Sequence, residues 1–142
     1  MKVQPMIQVD DVEASSRWYQ QVFGLVSGHG GPDYEMLFAG APFESPLALQ
    51  LHRWDAHEHG YLGSRDVPRG NGVSLWFEVT DRAAFDATWT RAGVLGARVL
   101  AAPSWNPLAH HHEFAVVDPD GYVVVAATPF EMEGAPGGGS AH

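Results

Sequence analysis

The sequence contains no cysteine, which excludes disulfides, thiolate metal sites, iron–sulfur clusters and a cysteine nucleophile. Basic residues are scarce: eight Lys and Arg stand against seventeen Asp and Glu, a net charge of −9 with the histidines neutral. A field of that sign repels phosphate backbones and anionic headgroups, so neither nucleic acid nor a membrane is an expected partner. No apolar run approaches the roughly 18 to 20 residues of a membrane span, and the opening Met1-Lys2-Val3-Gln4-Pro5 lacks the apolar centre of a signal peptide. A cytoplasmic protein is expected. Also missing are a phosphate-cradling glycine loop, since Gly28-His29-Gly30-Gly31 leads into extended chain rather than a helix, and a GxSxG nucleophile elbow.

What the chain does have is a pattern written twice. Its 142 residues suit one domain, expected over residues 1–133, with the Gly/Ser/Pro-rich stretch 134–142 reading as a flexible tail. Val3 to Val9 alternates apolar and polar residues, and Val73 to Val79 does the same; period two predicts a strand with one face packed. Asp11 and Asp81 follow at equivalent places and are each suited to cap a helix. The first helix is predicted over Val12 to Phe23 and ends at Gly24; it presents Val12, Ser16, Tyr19 and Phe23 at helical spacing. The second, over Arg82 to Ala92, ends at Gly93 and presents Phe85, Trp89 and Ala92. Short extended runs then follow in each half: Tyr34 to Ala39 and Leu47 to His52 in the first, Arg98 to Ala101, His111 to Val117 and Tyr122 to Ala127 in the second. Asp118-Pro119-Asp120-Gly121 reads as a tight turn.

This duplicated strand, helix and three-strand unit, with Phe23-Gly24-Leu25 at a helix end and Asp118-Pro119-Asp120-Gly121-Tyr122 before the last strand, resembles the vicinal oxygen chelate superfamily of glyoxalases, extradiol dioxygenases and bleomycin-resistance proteins. The resemblance covers Val3 to Pro129. It implies an α+β fold in which two tandem βαβββ modules form an incomplete barrel with a concave ligand cavity, often completed by a homodimer. Module one is expected at about residues 1–53, a connector at 54–71 and module two at about 72–130. Metal-dependent members draw four ligands, normally His, Glu or Gln, from the first and last strands of each module. Carried over by position, these fall on Gln4, Gln50, Ser74 and Val125. The set has no imidazole, no carboxylate and one side chain without a donor atom, whereas divalent cations need such donors for affinity. No metal and no other cofactor is therefore expected.

The histidines point elsewhere. His57-Glu58-His59 puts two imidazoles on one side of an extended segment without a third ligand, and reads as an exposed polar loop. In His110-His111-His112-Glu113, alternation with Phe114 and Val116 turns His112 towards the helices and sends His111 and Glu113 to the cavity side. By the same logic Leu47, Leu49 and Leu51 face the core, while Gln50 and His52 face the cavity. His52, His111 and Glu113 are thus expected to meet, as a polar lining, as an acid–base set or as a displaced metal site. Trp76 lies on the cavity side two positions from Ser74, Trp54 and Trp105 are placed in loops at its edge, and Trp18 and Trp89 belong to the core.

The expected ligand-binding residues are Gln4, Gln8, Gln50, His52, Ser74, Trp76, Trp105, His111 and Glu113. They describe a metal-independent small-molecule-binding protein, similar to bleomycin-resistance and other sequestering members, acting as a homodimer. With Glu78 and Glu113 near the cavity, a cationic or planar ligand is expected. The alternative is a glyoxalase- or dioxygenase-type enzyme, or a metal-free lyase or isomerase, with Glu113 as base and His52 or His111 as its partner.

Overall fold

Two aspartates start the two helices. In the computed structural model, which describes residues 1–55 and 61–132, Asp11 accepts a hydrogen bond from Ala14 N–H at 2.9 Å and Asp81 one from Ala84 N–H at 2.8 Å. Each carboxylate thereby satisfies a donor that the first helical turn would leave unpaired. His57-Glu58-His59 and the 134–142 tail lie outside the described residues.

The chain divides into two compact units, Met1–Arg69 and Gly70–His142. The first contains β1 (Met6–Val9), α1 (Val12–Phe23), β2 (Val26–Ser27), β3 (Tyr34–Phe38) and β4 (Leu47–Arg53). The second contains β5 (Ser74–Glu78), α2 (Arg82–Val94), β6 (Arg98–Asn106), β7 (His111–Val117) and β8 (Val123–Ala127). Each is a βαβββ module with one open four-stranded sheet, ordered β1-β4-β3-β2 in the first and β5-β8-β7-β6 in the second. The opening strand pairs parallel with the last strand, Met6 opposite Gln50 and Ser74 opposite Val123. The remaining pairs are antiparallel. The fold is α+β with two tandem modules, as expected, and neither sheet closes into a barrel.

One face of each sheet is covered by its helix. In the first unit Val12, Tyr19 and Val22 of α1 are buried with Ile7, Val9, Leu37, Leu49 and Leu51 of the strands. In the second, the Phe85 and Trp89 rings of α2 meet Phe114 of β7 edge-on, at 5.3 and 5.1 Å between centroids, with Val116, Val124 and Ala126 buried around them. Each of the larger buried side chains contributes on the order of 1.5–3 kcal/mol relative to exposure. Trp18 and Trp89, expected in the core, are half-buried at its margin.

Several boundaries differ from expectation by a residue or more, and four of the differences bear on the local structure. The first strand starts at Met6 rather than Val3; Val3 and Gln4 are exposed, although Pro5 still accepts Gln50 N–H at 2.9 Å. The last strand starts at Val123, because Tyr122 N–H is turned back to the Asp118 carboxylate. Helix α2 runs past Gly93 to Val94 and stops where Gly96 takes φ = +67°. There Gly96 N–H reaches Gly93 C=O and Ala97 N–H reaches Ala92 C=O, the paired bonds of a Schellman ending. Finally, β6 continues through Pro103 to Asn106 instead of ending at Ala101. A proline is tolerated there because β6 is an edge strand and its register with β7 shifts between Ala101 and Ser104.

Candidate functional site

In each module the sheet face away from the helix carries the polar residues, because side chains alternate along every strand. On the first unit this open face has two registered rows: Met6, Gln50 and Met36, then Gln8, His52 and Tyr34. Tyr34 donates its phenolic hydrogen to Gln50 Oε1, and Gln50 Nε2 donates to Gln4 C=O at 3.1 Å. His52 is buried beside Tyr34, with ring centroids 6.3 Å apart, and its Nδ1 lies 2.9 Å from Arg53 C=O, an arrangement that requires a proton on Nδ1. Burial and then the neighbouring Glu35 charge push the Tyr34 phenol above its usual 10.0, so it remains a donor into alkaline solution. Gln4 borders a pocket of about 620 Å³ whose lining includes Val3, Met36, Phe38, Phe43 and Leu47 but neither Gln50 nor His52.

The opposite face of β3 holds a group that sequence reasoning missed. Glu35 is 3% exposed and lies on the helix side. Its carboxylate accepts from Ser16 Oγ of α1 at 2.9 Å, from Ser27 Oγ of β2 at 2.8 Å, and from the backbone N–H groups of His29, Gly30 and Met36. Burial opposes ionisation, but the hydrogen bonds from Gly30, Ser27, Ser16 and His29 outweigh it and hold the pKa below the ordinary carboxylate range. This is a built-in anion that ties α1, β2 and the 28–31 loop to the sheet.

On the second unit the open face is organised by the β6–β7 hairpin. Asn106 and His111 are register partners and so share a face. Asn106 Oδ1 accepts from Leu108 N–H at 3.0 Å and Ala109 N–H at 3.3 Å, while Asn106 C=O accepts from His110 N–H at 2.9 Å. With its oxygen fixed by the turn, the Asn106 amide nitrogen points to Glu113, 3.3 and 3.4 Å from the two carboxylate oxygens. Glu113 in turn holds His111 Nε2 at 2.6 Å. A carboxylate only accepts, so the imidazole donates from Nε2. Across the face Trp76 stands 5.9 Å from the His111 ring and donates its indole N–H to Ser74 Oγ at 2.8 Å. Trp76 is 52% exposed, which excludes core packing as its role in this unit. Val125, Ala115 and Ala127 form the apolar floor between these groups, and Glu78 follows Trp76 on the same side of β5.

His111, Glu113, Ser74 and Trp76 are thus brought onto one face of the second unit, as alternation predicted, whereas Gln8, Gln50 and His52 belong to the first. His112 points to the helix side and is buried, 6.4 Å from the Phe85 ring. Trp105, expected in a loop at the cavity edge, lies instead within β6. Its register partner is His112, so it shares the helix-side face and packs on that ring at 5.1 Å. Trp54, also expected at the edge, stacks under the Arg69 guanidinium at 5.4 Å. Asn106, next to Trp105 and Pro107 in the stretch expected as a loop, carries no sequence signal for this role.

The four positions that the family resemblance gives to metal ligands do not fit a divalent cation. Gln50 spends its amide on Tyr34 and Gln4, the Ser74 hydroxyl accepts from Trp76, and Val125 carries no donor. Neither imidazole nor carboxylate occupies any of them. Among the described residues, no three His, Asp or Glu side chains converge as a ligand set elsewhere.

Residues 3–126 match the family model of the Glyoxalase/Bleomycin resistance protein/Dioxygenase superfamily. No protein of known, curated function matches the chain. Among solved structures, a glyoxalase-related enzyme from Fulvimarina pelagi is similar with a TM-score of 0.72 at 18% identity, over 90% of this chain and 87% of that one. A lactoylglutathione lyase from Agrobacterium tumefaciens gives a TM-score of 0.64 at 21% identity, over 91% and 93%. The fosfomycin resistance protein FosX from Mesorhizobium loti gives 0.60 at 17%, over 90% of each. At these identities the likeness is one of fold.

Proposed function

Because the chain belongs to the Glyoxalase/Bleomycin resistance protein/Dioxygenase superfamily, which hosts both enzymes and binding proteins, we propose from its own residues that it is a metal-independent small-molecule-binding protein. The observation that carries this reading is the exposed indole of Trp76 above an apolar strand floor, flanked by the His111–Glu113 pair. An aromatic surface with a few fixed polar groups is the chemistry of small-molecule recognition. The neighbouring carboxylates of Glu113 and Glu78 favour a planar ligand that is neutral or cationic. The poor donor set at the family's metal positions supports binding without a metal. We place the protein in the cytoplasm as a homodimer, on the analogy of its superfamily.

Elemental analysis of the purified protein, followed by fluorescence titration with planar cations such as ethidium, tests this. Substoichiometric metal and a saturable quench are expected, with Trp76→Leu weakening the affinity roughly tenfold. Stoichiometric metal released only by chelators, or a quench unaltered in Trp76→Leu, would overturn it. An enzymatic reading is favoured by one specific observation, the 2.6 Å contact between His111 and Glu113.

A further inference from the structure

We propose that Asn106, Glu113 and His111 form a proton-transfer triad in which His111, not Glu113, is the base. The triad would act on a planar, uncharged carbon acid, an enolisable aromatic ketone, lying against Trp76. This inference rests on the reading of the open face of β5, β7 and β8 as a ligand-binding surface and adds a reaction to it.

The roles follow from which atoms are already engaged. Asn106 is locked by the two turn N–H groups on its oxygen, so its amide nitrogen has one place to point. It meets both oxygens of Glu113, and the nearer oxygen of the pair also takes the His111 proton at 2.6 Å. A carboxylate whose oxygens already face two donors is placed to orient its neighbour, as in other chains where an acid fixes a histidine tautomer. With the proton on Nε2, the lone pair of His111 is on Nδ1, which has no hydrogen-bond partner among the described residues. The ring is not sealed in the core, its side chain being 16% exposed, and the Trp76 ring lies 5.9 Å away to support a flat molecule. Valine and alanine on β8 and β7 provide the apolar floor.

The step balances without a co-reactant. The C–H bond next to the carbonyl breaks, its proton forms a bond to Nδ1, and the electron pair passes into the carbonyl as an enolate. Glu113 faces the resulting imidazolium and stabilises its charge. In D2O the imidazolium trades its new N–H for N–D with solvent and then returns the deuteron to the same carbon, giving exchange, or it passes the proton to a conjugated carbon, giving isomerisation. His111 is the catalytic residue; Glu113 and Asn106 are positioning residues.

The probe is 2-indanone, a flat, neutral and readily enolised ketone, incubated with the intact protein in D2O. Loss of its α-hydrogen signal reads the chemistry, and quenching of indole fluorescence reads binding. Wild type is expected to exchange on the order of 10²-fold faster than buffer, His111→Gln to fall to the buffer rate, and both to quench equally. Glu113→Gln and Asn106→Ala are expected to lower kcat about tenfold or more with KM unchanged, and Glu113→Asp to recover part of the loss. Histidine ¹⁵N shifts of the unmutated protein, independent of any variant's folding, should report His111 protonated on Nε2. Quenching without exchange, or a proton on Nδ1, overturns the triad and leaves the binding surface standing. Absence of quenching and exchange together overturns both readings. A rise in KM without loss of kcat in Glu113→Gln overturns the positioning role.

Discussion

The carboxylate of Glu35 shows how much one residue can organise. Five donors converge on it from a helix, a strand and a loop, so removing the charge leaves buried hydroxyls and N–H groups with a weaker acceptor. Glu35→Gln is expected to destabilise the protein by about 1.5–3 kcal/mol at neutral pH, read from denaturant midpoints. Because folding lowers this pKa, the stabilisation is complete above the ordinary value of 4.5 and is lost as pH falls from there through the lowered folded value. The gap between wild type and Glu35→Gln should therefore narrow in acid, and a constant gap would refute the argument. Little of this was legible beforehand. In Tyr34-Glu35-Met36 alternation alone cannot say which face is buried, and a glutamate is ordinarily taken as exposed. The signal that would have found it is the matching pair of small hydroxyls, Ser16 on the inner face of the helix and Ser27 on the edge strand. His111 and Glu113 were easier, since Phe114 and Val116 fix the parity of β7. Asn106 was not legible as a site residue, because its role depends on a turn that the neighbouring Pro107 disguises as a plain chain break.

Among the elements, both helices were predicted nearly to the residue because their starts are chemical: an aspartate, then apolar residues at helical spacing. The ends were harder. Gly24 does end α1 with φ = +68°, and its N–H returns to Gln20 C=O. In α2 the sequence predicts a stop at the first glycine, but Gly93 stays helical and Gly96 makes the turn. Which of two glycines takes the left-handed conformation depends on where the next strand must begin, and that is set by the pairing of Arg98 with Val117. Gly24→Ala and Gly96→Ala are each expected to cost about 1 kcal/mol, from backbone conformation alone, since an added Cβ would meet nothing within 4 Å at either position. Gly93→Ala, in the helix, should be neutral or stabilising by a few tenths to about 1 kcal/mol. Thermal melts of the three variants check the contrast, and equal losses at all three would contradict the placement of the turn. The length of β6 was missed for a different reason: Pro103 forbids an interior strand but not an edge one, and edge position is a property of the sheet order.

For the whole molecule, the internal repeat was the most informative sequence feature, since two copies of one pattern implied two modules and the sheets bear this out. What the repeat could not convey is how differently the copies are furnished. The first puts tyrosine, glutamines and a buried histidine on its open face; the second puts tryptophan and a histidine–glutamate pair there. The same topology has a consequence for the time course of folding. In each unit the first strand has its hydrogen-bonding partner in the last, Met6 with Gln50 and Ser74 with Val123, while β3 with β4 and β7 with β8 are sequence-local hairpins. Closing the long loop costs chain entropy before the parallel pair returns any, so the hairpins should form early and the opening strand dock late. Destabilising substitutions at Ile7 should then accelerate unfolding and leave the refolding rate nearly unchanged, whereas those at Leu49 should slow refolding, a difference visible in the two arms of a chevron plot. During synthesis the chain would emerge with its first strand waiting, unpaired, until some forty residues later its neighbour arrives.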